Sequence, residues 1–157
     1  MTGFRRGARL GIDVGKARVG VARSDPDGML ATPVETVPRD EGSIARIVAL
    51  AQEHDATEIL VGLPLNMRGE DTASTTDARD FASALAAASG VPVRLVDERL
   101  STVSAHAALR DSGRSQRSSR SIVDQVAAVV LLQQALDVEK STGRPAGSPV
   151  PQAQEPA

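Results

Sequence analysis

Hydrophobic and polar positions along this chain change period near residue 40. Before it, Arg9–Val14 and Arg18–Ser24 are β-branched-rich runs separated by a short turn holding Gly15, the pattern of a hairpin. A third extended run, Leu30–Val37, follows Asp25-Pro26-Asp27-Gly28, whose Pro and Gly suit turn backbone angles. Three consecutive antiparallel strands are therefore predicted. In Ser43–His54 the apolar residues Ile44, Ile47, Val48 and Ala51 recur at helical spacing, which predicts an amphipathic helix with Ser43 as N-cap. Glu58–Leu63 reads as a short apolar strand closed by Pro64, and Asp71–Ser89 as an Ala-rich helix stopped by Gly90 and Pro92. Val91–Val96 is another apolar strand and ends in Asp97-Glu98-Arg99. Thr102–Leu109 follows as a helix, Asp111–Ser121 as a Ser/Arg/Gly loop, and Ile122–Val138 as a last helix with an apolar face. The order βββα-βα-βαα, with crossover helices between the later strands, implies an α/β mixed sheet with helices on both faces. From Ser141 onward the composition turns to Pro, Gly, Gln, Ala and Ser without periodicity, and four of the nine prolines lie there. A single domain at 1–140 and a disordered tail at 141–157 are expected.

Composition narrows the function more than the fold. The 157 residues suffice for one domain, and 41% hydrophobic with 24% charged residues is an ordinary globular balance. The longest apolar run, Val126–Leu132, has seven residues against the ~20 of a membrane helix, so no membrane partner is expected. No apolar stretch follows the arginines of Met1–Arg9, so a secretory signal is not predicted and the expected location is cytoplasmic. The absence of Cys excludes thiolate zinc sites and cysteine nucleophiles. His54 and His106, far apart, leave little for a His-based metal site or a Ser-His-Asp triad. The working groups of an enzyme here would be carboxylates, arginines and hydroxyls. Net charge is −2 over the chain, yet Arg99–Arg120 carries +4 and the remainder −6. Basic charge is thus concentrated between two acidic positions.

Those positions belong to a set of candidate carboxylates. Asp13 ends an apolar strand in which Gly11 and Asp13 share one face and Leu10 and Ile12 the other. A carboxylate in such a strand is costly unless it is paired or binds a metal, although Asp13 also suits the start of the turn to Gly15. Asp97 and Glu98 close a second apolar strand, at the kind of strand end where open α/β sheets hold ligands. Spacing alone does not choose between them, and a solvated end with Arg99 as local partner is the competing reading. Asp124 fits well the last position of a Ser121-Ile122-Val123-Asp124 capping box, which would need no function; the same location also makes it a carboxylate at a helix N-terminus beside the basic loop. Three carboxylates on separate elements, in a chain with few His and no Cys, suggest a hard cation such as Mg²⁺ or Mn²⁺ that activates water for phosphodiester hydrolysis. Arg114, Arg117 and Arg120 in the basic loop would hold the polyanion, unless that loop is merely solvated. With two Phe and no Trp or Tyr, recognition should run through backbone or shape rather than base stacking.

Four segments together carry a resemblance. Gly11-Ile12-Asp13-Val14-Gly15-Lys16-Ala17-Arg18-Val19-Gly20, Val61-Gly62-Leu63-Pro64-Leu65-Asn66-Met67-Arg68-Gly69, Asp97-Glu98-Arg99-Leu100-Ser101-Thr102, and Asp124-Gln125-Val126-Ala127-Ala128 resemble the motifs of the YqgF/RuvX family, in order. The resemblance covers roughly Arg9 to Leu136. It implies an RNase H-like fold with a five-stranded mixed sheet and a metal-dependent nuclease site of Asp13, Glu98 and Asp124, choosing Glu98 over Asp97. It implies as substrate either branched DNA or the 5′ end of the 16S ribosomal RNA precursor. Lys16 and Arg18, just after Asp13, are candidate phosphate contacts, with a charged hairpin turn as the plainer account. Paired cutting of a four-way junction would require a homodimer, for which the sequence shows no face.

A non-catalytic nucleic-acid-binding or ribosome-assembly factor on the same fold is the alternative expectation. A sugar-kinase-like ATPase, suggested by Asp-x-Gly after the first strand, would need two such domains, and the chain has length for one.

Overall fold

Strands β1 (Arg9–Val14) and β2 (Arg18–Ser24) form the predicted hairpin, pairing antiparallel from Leu10 opposite Arg23 to Val14 opposite Val19. β3 (Ala31–Pro38) continues antiparallel to β2, with a register shift opposite Val21/Ala22 next to Pro33, at the open edge where a proline costs no ladder bond. The protein's computed structural model describes residues 4–97 and 116–151, with the backbone alone for 116–123. β4 (Glu58–Leu63) and β5 (Val93–Asp97) add in parallel to the other side of β1, each reached through a helix. The mixed α/β character is as expected, but the sheet has six strands, not five, in the order β3-β2-β1-β4-β5-β6.

The extra strand, β6 (Ser148–Pro149), comes from the segment whose composition predicts no structure. Arg94 on β5 donates to the carbonyls of Ala146 (2.8 Å) and Gly147 (2.7 Å), and the Val150 amide donates to Val93. Val150 is buried in the main core. Pro149 is tolerated because a short edge strand leaves its missing donor facing no neighbour.

Helices cover both faces. α1 (Ser43–Glu53) and α2 (Ala73–Ser89) pack Ile47, Leu50, Phe81 and Leu85 on Leu10, Ile12, Ile59, Val61 and Leu95. The cap of α1 is Gly42 rather than Ser43, whose hydroxyl instead donates to the carbonyl of Pro38. α2 starts from a Thr72–Thr75 capping box and ends at Gly90 in the left-handed region (φ 68°). On the opposite face lies α3 (Gln116–Thr142), which packs Ala128, Leu131, Leu132 and Leu136 on Ala22, Leu60 and Val96. It begins six residues before the predicted Ile122, so the end of the predicted arginine-rich loop is helical. The predicted helix at Thr102–Leu109 lies outside the described residues. Among the described residues no helix is long and apolar enough to cross a membrane.

A buried ionic cluster ties α3 to the sheet. Arg9 on β1 is 2% exposed and pairs with Glu139 on α3 (3.3 Å), while Arg5 reaches both Glu139 (2.8 Å) and Glu58 (3.0 Å). Burial opposes ionisation of Glu139, but hydrogen bonds from the Arg5 side chain and backbone and the Arg9 charge outweigh it, leaving its pKa below the ordinary glutamate range. A depressed carboxylate contributes stability that is present above its unfolded pKa and is lost as pH falls through the folded one. Melting temperature is therefore expected to drop below about pH 4, near the unfolded glutamate pKa. Glu139→Gln should weaken that acid limb and cost about 3 kcal/mol at neutral pH, because buried Arg9 loses its nearer carboxylate and keeps only Glu58, at 3.9 Å. Parallel thermal melts of the two proteins between acid and neutral pH check both effects.

Candidate active site

Alternation along β1 turns Arg9, Gly11 and Asp13 toward α3 and Leu10 and Ile12 toward the other helices. Gly11 is what lets α3 come close. A Cβ there would lie 2.8 Å from the Cβ of Leu132 and 3.0 Å from the Ala128 carbonyl oxygen. The same holds one strand over at Gly20, where a Cβ would overlap the carbonyl of Asp124 and lie 3.0 Å from the Gln125 nitrogen. Gly20 is also the register partner of Asp13. Asp13 and Asp124 therefore flank the same glycine, one by strand pairing and the other by helix packing. Asp13 is half-buried there. Gln125 Nε2 donates to Thr36 Oγ1 on β3 (2.8 Å), which holds this part of α3 across the hairpin.

The Asp124 side chain is 16% exposed and accepts a hydrogen bond from Arg18 Nε at 2.8 Å. Arg18 opens β2, so a single strand carries both the glycine under Asp124 and the cation beside it. Burial pushes the Asp124 carboxyl above the ordinary aspartate range, against the opposing hydrogen bond and charge of Arg18. A desolvated carboxylate whose pKa stays high despite an arginine is one that a stronger positive charge would stabilise.

The capping reading of Asp124 is corrected by this geometry. The helix starts at Gln116, so Asp124 sits more than two turns inside it and caps nothing. Lys16 is exposed in the turn after Asp13, and Arg18 is committed to Asp124. Asp97 is exposed at the end of β5 and pairs in register with Leu63, on the face of Leu95 and Val93 and opposite to α3. Glu98 and Arg114 lie outside the described residues, and Arg117 and Arg120 fall on the first turns of α3 with their side chains outside them. Among the described residues no group of three potential ligands gathers around one point. Sequence reasoning passed over Gly20, Arg39 and Asp77. Glycines inside a strand signal close approach of another backbone, a signal present at Gly11 and Gly20.

The model of the family described as "RuvX: Holliday junction resolvase" matches residues 7–138. The chain belongs to this family of nucleases. It is 58% identical over 151 residues to a protein of Clavibacter michiganensis subsp. michiganensis named "Putative pre-16S rRNA nuclease", with 94% of each chain covered. A protein of the same name from Leifsonia xyli subsp. xyli is 57% identical over 149 residues, covering 94% of this chain and 96% of its own. Among solved structures, the family member is similar to T. thermophilus RuvC in complex with Holliday junction substrate, with a TM-score of 0.56 and 19% identity over 90% of this chain and 98% of that one. That likeness speaks to the RNase H-like fold. The match spans the elements that build the site, from β1 to the core of α3.

Proposed function

We propose that the chain is a Mg²⁺- or Mn²⁺-dependent endonuclease that trims the 5′ end of the 16S ribosomal RNA precursor, with Asp13, Glu98 and Asp124 as its catalytic carboxylates and metal ligands. The observation that carries this reading is the convergence of Asp13 and Asp124 on Gly20, with Asp124 desolvated and its carboxyl pKa raised. Oxygen-only donors of this kind suit a hard divalent cation and disfavour softer metals. Such an ion, when bound, would activate water and stabilise the departing oxygen of the phosphodiester. Asp97 sits on the face away from α3, which favours Glu98 as the third member. The chain's own residues supply the remainder. Arg18 balances the Asp124 charge while no cation is present, and Lys16, Arg18, Arg114, Arg117 and Arg120 would meet the phosphate backbone.

The RNA substrate is favoured by relatives at 58% identity bearing that name, and a Holliday junction is the second reading because the family description carries it. Trimming one strand needs one active copy, whereas paired incision of a junction would use a homodimer. A cytoplasmic location accords with ribosomal RNA as substrate.

The test sets a labelled precursor-rRNA 5′ leader beside a four-way DNA junction, each with Mg²⁺, Mn²⁺ or EDTA. The expected result is metal-dependent cutting of the leader, reduced on the order of 10²–10³-fold in Asp13→Asn, as losing several kcal/mol of transition-state stabilisation would give. Cutting of the junction alone would select the second reading. Binding of both with cutting of neither would make the chain a ribosome-assembly or nucleic-acid-binding factor.

A further inference from the structure

The turn that follows Asp13 is held from an unexpected quarter. It is short, with the Gly15 amide donating to the Arg18 carbonyl (2.9 Å), so it fixes the separation between Asp13 and Arg18. Arg39, the residue after β3, meets it twice: its backbone amide donates to the Ala17 carbonyl and its Nη1 to the Gly15 carbonyl, both at 2.9 Å. The same guanidinium forks onto Asp77 of α2 at 2.9 and 2.7 Å, and its Cζ lies 4.9 Å from the centre of the Phe81 ring. Arg39 is mostly covered, with 23% of its side chain exposed. Its planar fork thus uses one edge for a carboxylate, one nitrogen for a turn carbonyl and one face for an aromatic ring, a combination lysine cannot reproduce.

The far end of this arrangement is anchored independently. α2 follows β4 at the end of the sheet where β1 also finishes, and Thr75 donates to the Pro64 carbonyl there. Asp77, two residues further on, is therefore a fixed point. A pair set only for stability would have no need to reach into the loop between two site residues.

We propose that Arg39 is a positioning residue for the nuclease reaction. It clamps the Gly15–Ala17 turn to Asp77 of α2 and so sets where Asp13 and Arg18 stand relative to Asp124. The proposal rests on Asp13 and Asp124 being the catalytic carboxylates. Arg39 hydrogen-bonds to the turn and to Asp77, so its effect is on geometry at the end of β1 and the start of β2.

Arg39→Lys and Asp77→Asn test it with two readouts on the full chain. Turnover with Mn²⁺ is expected to fall about 10–100-fold in each, the range for losing the support of a ligand, with KM for the nucleic acid within about twofold. The double variant should be no worse than the poorer single one. Amide hydrogen exchange at Gly15 is expected to quicken in both variants, while the core amides of β1 and β4 keep their protection. Unchanged exchange at Gly15 would overturn the clamp whatever the activity, and quickened exchange with full turnover, in a protein where Asp13→Asn is inactive, would overturn the positioning role. If Asp13→Asn cuts normally, the catalytic assignment falls and takes the positioning role with it, while the exchange result still reports on the physical clamp.

Discussion

Replacing Asp124 by Asn is expected to abolish cleavage while shifting the melting temperature by only a few degrees. The two effects separate because they arise from different properties of the same carboxylate. In the folded chain Asp124 pays for its burial: the carboxyl is pushed above the ordinary aspartate range although Arg18 donates to it at 2.8 Å. A raised carboxyl pKa favours the native state at low pH, and that advantage is lost as pH rises through the folded value. At neutral pH the ionised group is thus no asset to stability, and an amide of the same shape relieves the desolvation. What the amide loses is the Arg18 ion pair, whose arginine is 35% exposed, which limits its contribution to about 1 kcal/mol or less. For a chain of this size that is roughly 2–4 °C. Under the proposed function, cleavage depends instead on the negative charge toward a divalent cation, and its removal should cost on the order of 10²–10³-fold in rate. Thermal melts and leader cleavage on one preparation check the pair of outcomes. A large melting shift with activity retained would return Asp124 to a purely structural role.

Much of this was legible in the amino-acid order, and the failures have identifiable causes. β1, β2 and β4 occupy the predicted residues because short alternating or apolar runs there are bounded by Gly and Pro. Asp13 was marked by its cost in such a strand, a local argument that needs no tertiary knowledge. For Asp124 the sequence favours a cap, with a site as the other reading, because the first turns of α3, Gln116–Ser121, are Gln, Arg and Ser without apolar periodicity. A helix that begins on polar residues gives no sign of its start, so the capping box was read where the hydrophobic face begins. β6 was missed for a different reason: its strand is recruited by Arg94 from more than fifty residues away, against a Pro-rich composition. Arg39 and Asp77 were silent because nothing in two separated charges announces that their side chains meet over a third segment.

Gly20→Ala should damage stability and rate together, since it displaces the helix instead of editing one group. The added Cβ would meet the Asp124 carbonyl oxygen and carbon and the Gln125 nitrogen, all backbone atoms with no rotamer by which to yield. Either β2 bends or α3 lifts, and β2 is held on both sides by β1 and β3. Lifting α3 there loosens Leu131, Leu132 and Ala128 from Ala22 and Leu60, for an expected cost of about 3 kcal/mol, the upper part of the range for overpacking. That corresponds to a melting temperature lower by roughly 10 °C. The same movement carries Asp124 away from Asp13, and a displacement of about 1 Å in a positioned group is enough for ~10²-fold in rate. Gly42→Ala is the control, because its Cβ would meet only Asp40 Oδ1, at 3.4 Å, on an exposed turn. Gly11→Ala separates the two consequences. Its clash is with Ala128 and Leu132, about one and two turns further along the helix, so stability should suffer comparably while the rate falls less. Equal losses of rate in Gly11→Ala and Gly20→Ala would mean that activity follows overall stability, and full stability in Gly20→Ala would mean that α3 does not rest on β2 at Asp124.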